Sequence, residues 1–389
     1  TFTGSENAGA VAGVNSGRIE GIVTFGNTVT SNGNAGGIAG FNDSGSFSED
    51  ETSGSTNDGV LTNGIYDVES TGSVIAGSSS AVAGGLVGKN NGGIANSFSD
   101  SAVTVKVDNQ NPVTTTGGLG GVVGVNTEKG NVQYVDSLGV TNGGATGSSN
   151  IGGIIGTNNG NMYSGYNESI VSGNDNVGGI IGENKSGKTV SNVVNATSVT
   201  GATKGNDISE YVGGLVGVNS GSVTNGRNNG TITGIKYVGG MVGSNEAVAT
   251  LKNLVNDSSA AITGEQYVGG IAGDNAGTIT TGNEETDETV NLINRGTITG
   301  QQYVGGVAGR NSGTITNANN DVELNVKDST ADAEFFGGIA GENTKGGIIK
   351  NATNTADVNA DGATYVGGIV GKNDGTLKDM AGHSGNVTG

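Results

Sequence analysis

Cysteine and tryptophan are absent from this 389-residue chain, and proline and histidine occur once each, as Pro112 and His383. Without cysteine there are no disulfides and no thiolate metal sites. One histidine leaves no His-Glu-x-x-His metal helix and little material for acid–base catalysis. No run of about 18 apolar residues occurs, so nothing reads as a membrane-spanning helix. Positive charge is also scarce: 17 Lys and Arg stand against 36 Asp and Glu, a formal net charge of −19. A phosphate backbone or an anionic lipid surface would be repelled, which argues against nucleic acid and membrane as partners. Apolar residues make up only 32% of the chain, too thin a supply for one large compact core, yet too regularly clustered for a disordered chain.

Glycine is abundant instead, with 78 residues and no collagen-like three-residue period. The glycines belong to a recurring stretch, clearest as Tyr211-Val-Gly-Gly-Leu-Val-Gly-Val-Asn219. It returns at Tyr237–Asn245, Tyr267–Asn275, Tyr303–Asn311 and Tyr365–Asn373, with Phe335–Asn343 differing in its aromatic pair. Asn150–Asn158 and Asn176–Asn184 keep the Gly-Gly-apolar-apolar-Gly-x-Asn core without Tyr, and looser copies start at Gly9, Gly36, Gly84 and Gly120. Twelve copies at a mean spacing of roughly 33 residues mark a solenoid.

Within one unit, Tyr211–Val218 reads as a strand, Asn219-Ser220-Gly221 as a turn and Ser222-Val223-Thr224 as a second strand. Asn228-Asn229-Gly230 reads as another turn, and Thr231-Ile232-Thr233 as a third strand. Alternating Thr and Ile with Asn-Gly punctuation is a strand-and-turn pattern, and no helical period appears. The expected fold is all-β: a right-handed parallel β-helix (β-solenoid) of about twelve coils, with handedness taken from the chirality of parallel crossovers. Residues 1–389 form a single solenoid, with insertions near 44–63, 100–116, 202–210, 283–291 and 319–334. A lone coil buries too few apolar side chains to offset its backbone entropy, so stability is collective. The chain opens and closes on strands of one phase, Thr1–Gly4 and Asn386–Gly389, and has no initiating Met or secretory leader. It reads as an excerpt of a longer mature chain.

Two columns are candidate site residues. The motif asparagines, including Asn219, Asn245, Asn275, Asn311, Asn343 and Asn373, fall at one turn each time and can form a structural turn ladder, with a tolerance for left-handed backbone. Tyr211, Tyr237, Tyr267, Tyr303, Phe335 and Tyr365 line up as a binding or stacking column. The glycine pair turns a corner or packs coils closely; no helix and no Lys-Ser/Thr follow it, so it is not a phosphate cradle. Acidic stretches such as Glu49–Glu51 and Glu284–Glu288 have no Ca²⁺-loop spacing, so the expectation is no cofactor and weak or no specific Ca²⁺ uptake. No paired carboxylates stand out for glycoside hydrolysis. The expectation is a chain that is not an enzyme.

Val268-Gly-Gly-Ile-Ala-Gly-Asp-Asn275 and Val304-Gly-Gly-Val-Ala-Gly-Arg-Asn311, followed by Asn-x-Gly-x-Ile, resemble the GLUG repeat of large bacterial cell-surface proteins. That family includes adhesin-like proteins and the non-catalytic regions beside IgA-cleaving metallopeptidases, and the likeness runs over nearly the whole chain. It implies export and a role at the cell surface or outside the cell. It does not imply peptidase activity here, because the metal-binding motif is missing. The expectation is therefore an adhesin stalk or binding rod facing a host or neighbouring cell, through glycan or protein. The alternative is a self-associating subunit of a filament or surface layer.

Overall fold

A computed structural model describes residues 1–45, 63–108, 111–112, 114–144, 148–202, 209–281, 292–328, 332–380 and 382–389. Among them every regular element is a strand. The coil that begins at Glu210 shows the plan. Its first strand is Glu210–Gly213, its second Val216–Asn219, its third Ser222–Asn228 and its fourth Ile232–Thr233. Lys236 then starts the next coil directly below.

First strands stack on first strands in a twelve-stranded parallel sheet, and second strands in another, so the stack has twelve coils. Third and fourth strands build the remaining large parallel sheet. Register follows the repeat: Val212 pairs with Val238, Asn219 with Asn245 and Ile232 with Ile262. The expected parallel β-solenoid is the observed fold.

The coil that begins at Glu210 has four strand segments where three were expected. The single strand expected over 211–218 breaks at Gly214-Leu215 into two, which belong to different sheets. The break lets Val212, Leu215 and Val216 all point inward and become fully buried. The glycine pair is thus a corner, and the reason for glycine is close approach. A Cβ on Gly213 would lie 2.1 Å from the Val216 carbonyl oxygen, and one on Gly214 would lie 2.1 Å from that of Gly240. The third motif glycine is as crowded: a Cβ on Gly243 would sit 2.5 Å from the Tyr211 carbonyl carbon.

The interior is two apolar columns. Val212, Ile232, Val238 and Ile262 line one, between first and fourth strands. Leu215, Val216 and Val223 line the other, between second and third strands. A buried side chain of this size contributes about 1.5–3 kcal/mol, and each layer is covered above and below by its neighbours.

Two expected insertions are shorter than their sequence limits suggested. Asp100–Val105 belongs to a 13-residue coil strand, Gly93–Val105. The departure follows it, where Val107–Asp108 pairs antiparallel with Asn111–Pro112. Likewise 319–334 contains coil strands at Ala318–Asn320 and Leu324–Val326. The expected insertions over 44–63, 202–210 and 283–291 lie wholly or mostly outside the described residues.

Candidate functional site

The aromatic column forms as a continuous stack. From Tyr211 through Tyr237, Tyr267, Tyr303 and Phe335 to Tyr365, successive ring centroids are 4.6–4.9 Å apart and the planes are within 3–21° of parallel. That step matches the spacing of neighbouring strands in a sheet, so the backbone holds the rings at offset-stacking distance.

The backbone beneath the rings is left-handed: φ is 60° at Tyr211, 53° at Tyr237, 55° at Tyr267, 54° at Tyr303 and 58° at Phe335. For a residue with a Cβ this conformation costs roughly 1–2 kcal/mol. A ring between two others recovers about 0.5–1.5 kcal/mol per contact, so stacking on both sides offsets the strain. Upstream, Asn150 and Asn176 occupy the same place at φ 61° and 51°, joined by an amide hydrogen bond of 2.8 Å. Asn adopts this backbone readily.

Charged side chains brace the column. Arg310 donates from Nε and an Nη to both carboxylate oxygens of Asp274, at 2.8 Å each, and its guanidinium sits 5.1 Å from the Tyr267 ring centre. Lys372 donates to Glu342 at 2.9 Å and lies 5.7 Å from the Phe335 ring. Lys236 bridges to Glu210 on the preceding coil at 2.8 Å. The hydrogen bonds that Arg310 donates to Asp274 hold it still more firmly protonated than an ordinary guanidinium, and the bond to Glu342 does the same for Lys372. Burial raises the phenols of Tyr211, Tyr267 and Tyr303. The ring faces are spent on one another, so the stack offers solvent its edges and hydroxyls.

The motif asparagines are fully joined. From Asn15 through Asn42, Asn90, Asn126, Asn158, Asn184, Asn219, Asn245, Asn275, Asn311 and Asn343 to Asn373, each Nδ2 donates to the Oδ1 of the next at 2.7–2.9 Å. Asn219 also caps its own turn, donating to the Gly221 carbonyl and accepting from the Gly221 N–H. The left-handed backbone anticipated at these residues is not there. It falls on the aromatic column and on outward residues such as Asn192, Asn225 and Asn253.

Sequence reading missed a second ladder. Asn167, Asn195, Asn228, Asn256, Asn294, Asn320 and Asn354 are linked in the same sense at 2.8–2.9 Å, and Asn354 donates to Nδ1 of His383 at 2.9 Å. These amides fill the notch that each second motif glycine leaves: a Cβ on Gly214 would lie 2.5 Å from the Asn228 Cγ. They separate the two apolar columns. In earlier coils Ser70, Ser99 and Ser137 face Gly37, Gly85 and Gly121 in their place. The signal was present, since an Asn recurs nine or eleven residues after the motif Asn in six of these coils. The eleven-residue cases carry a longer turn, such as the one closed by the Lys188 N–H on the Lys185 carbonyl.

A second aromatic group also went unread. Tyr134, Tyr163 and Tyr166 project from the third strands of the fourth and fifth coils, Asn131–Ser137 and Asn161–Asn167. Tyr134 and Tyr163 meet edge to face at 5.6 Å and 77°, and Tyr163 is 43% exposed. Glu49–Glu51 and Glu284–Glu288 lie outside the described residues. Among the described residues no three His, Cys, Asp or Glu gather as a metal-ligand set. Neither a family model, nor a curated protein, nor a solved structure matches this chain.

Proposed function

We propose that this chain is a non-catalytic segment of a bacterial surface protein, carried outside the cell as a stiff stalk or binding rod. The observation behind this reading is that axial fastenings run along the stack besides the sheets: an amide ladder joins all twelve coils from Asn15 to Asn373, and a ring stack joins the last six. Amide ladders run inside and a ring stack runs outside. Buried hydrogen bonds in a low-dielectric interior are costly to leave unmade, so bending or peeling one coil breaks contacts in both neighbours. A rod of this kind holds its ends apart and presents long, repetitive sides. The resemblance of the Gly-Gly-apolar-apolar-Gly-x-Asn core to GLUG repeats supplies the surface location.

The test is light scattering and small-angle X-ray scattering on the purified chain, with antibody labelling of intact source cells. A monomeric rod and labelled cells are the expected result. Label found only after lysis would overturn the surface role. Growth of assemblies with concentration would favour the filament or surface-layer subunit instead.

A further inference from the structure

We infer that the outward face of the fourth and fifth coils is a docking surface for a protein partner that presents Lys or Arg within an apolar patch. This deepens the reading of the chain as a binding rod and rests on it.

Six large side chains project together here: Tyr134, Tyr163 and Tyr166 with Leu138, Val140 and Ile170, each between 38% and 54% exposed. Register makes them neighbours, since Gln133 pairs with Tyr163, Asp136 with Tyr166 and Val140 with Ile170 on adjacent strands. A contiguous exposed apolar patch rimmed by polar groups is the usual mark of an interaction surface. Tyr is enriched at protein interfaces, where its ring is buried and its hydroxyl bonded.

Charge selects the occupant. Asp136 sits in register between Phe98 and Tyr166, partly desolvated, and its carboxylate has neither a hydrogen bond nor an ion pair among the described residues. Glu168 stands on the next coil and accepts a hydrogen bond from the Tyr166 hydroxyl at 3.0 Å. Burial, and then the nearby Glu168, push the Asp136 carboxyl above the usual carboxylate range. From Lys129 to Lys185 the sequence between contains no Lys or Arg to answer these acids. An incoming cation would pair with Asp136 and Glu168 and lie against Tyr rings, gaining both ion-pair and cation–π attraction. Leu138, Val140 and Ile170 favour a protein over a sugar: aliphatic side chains match apolar side chains, whereas a sugar needs open ring faces and bonded hydroxyls.

The experiment is selection of a random displayed peptide library on the full chain. Enriched peptides are then titrated against the wild type, Tyr163→Ala, Tyr166→Ala and the double variant Asp136→Asn/Glu168→Gln. Enriched peptides should carry Lys or Arg beside Leu, Phe or Trp. They should lose affinity by about tenfold or more in each variant and weaken with added salt. Tyr365→Ala, outside the patch, should bind as the wild type does. Circular dichroism should show all variants folded, since the changed side chains are on the surface. No enrichment, enrichment of peptides without a basic residue, or affinity indifferent to these variants overturns the proposal. So does a glycan array whose binding is lost in Tyr163→Ala while no peptide binds. Failure here in a rod that still labels intact cells removes the partner and leaves the rod reading. Label found only inside the cell removes the rod reading, whatever the peptides do.

Discussion

The late coils and the early coils solve the same packing problem differently. From Asn167 to Asn354 an amide fills the notch opposite each second glycine, with His383 in that place in the last coil, and from Tyr211 onward a ring covers the outside of each corner. Before that, serine fills the notch, and Ser137 Oγ is buried with no hydrogen-bond partner. The early half also carries more of the apolar groups left outside, including Phe25 at 73% exposure and the patch around Tyr163. In the first coil the strand Val23–Ser31 slips register between Thr24 and Asn27. The same residue type therefore plays two roles: tyrosine stacked on tyrosine closes a surface, and tyrosine splayed from tyrosine leaves one open.

The largest expected effect breaks the late half at its centre. Asn228→Ala removes one rung and strands the Oδ1 of Asn256 and the N–H of Gly230, so it should cost about 2–4 kcal/mol in denaturant unfolding. Ser99→Ala at the matching early position should cost less than about 1 kcal/mol, since only the Ser101 N–H uses that hydroxyl. Equal costs would erase the distinction.

Tyr267→Ala should come next, at about 1–2 kcal/mol, because it removes two ring contacts and leaves the left-handed backbone uncompensated. Tyr163→Ala should stay within about 0.5 kcal/mol, as befits a side chain on the open surface. Reversal of that order in thermal or denaturant unfolding would make the splayed tyrosines the structural ones.

The stack also predicts alkaline sensitivity. Tyr211, Tyr267 and Tyr303 have folded phenol values raised above the ordinary 10.0 by burial. Their contribution is therefore intact below about pH 10 and is lost as pH rises through the folded values, because the unfolded chain ionises first. A Tyr267→Phe variant should therefore keep its β-signal to higher pH than the wild type in an alkaline circular-dichroism titration; an unchanged midpoint would contradict it.

The smallest effect sharpens the comparison from the other side. Ser137→Asn should raise stability by about 0.5–1.5 kcal/mol, since Gly121 already leaves the notch and Asn167 Oδ1 is the next rung. No gain would mean that the early coils are shaped differently at the notch.

Much of this was legible in the sequence. Twelve copies of the glycine motif gave the coil count, and the stretches read as strands at 222–224 and 231–233 fall on the strands Ser222–Asn228 and Ile232–Thr233. The Asn219 column was read as a ladder because the repeats align it. The glycine pair was read as a corner or close packing and is both, but the atoms that crowd Gly214 or Gly243 were not legible, because they lie on another strand and another coil. The left-handed tyrosines were hidden by their own chemistry: nothing in Tyr suggests that backbone until a ring is known to lie on either side. The Tyr163 patch was passed over because it does not repeat, and repetition was the guide everywhere else.

The amide ladders have a direction. Every rung in both series donates from Nδ2 toward the C-terminal neighbour and accepts at Oδ1 from the N-terminal one. Backbone bonds between coils run both ways, as when the Gly37 N–H reaches forward to Gly85 and the Asp43 N–H reaches back to Asn15. Their dipoles largely cancel, while those of the two buried amide files add; the fewer outer amide pairs, such as Asn176 to Asn150 and Asn253 to Asn225, point the other way. Hydrogen bonds in such chains polarise one another. The shaft is thus an electret, with its negative pole toward Asn15 and its positive pole toward Asn373.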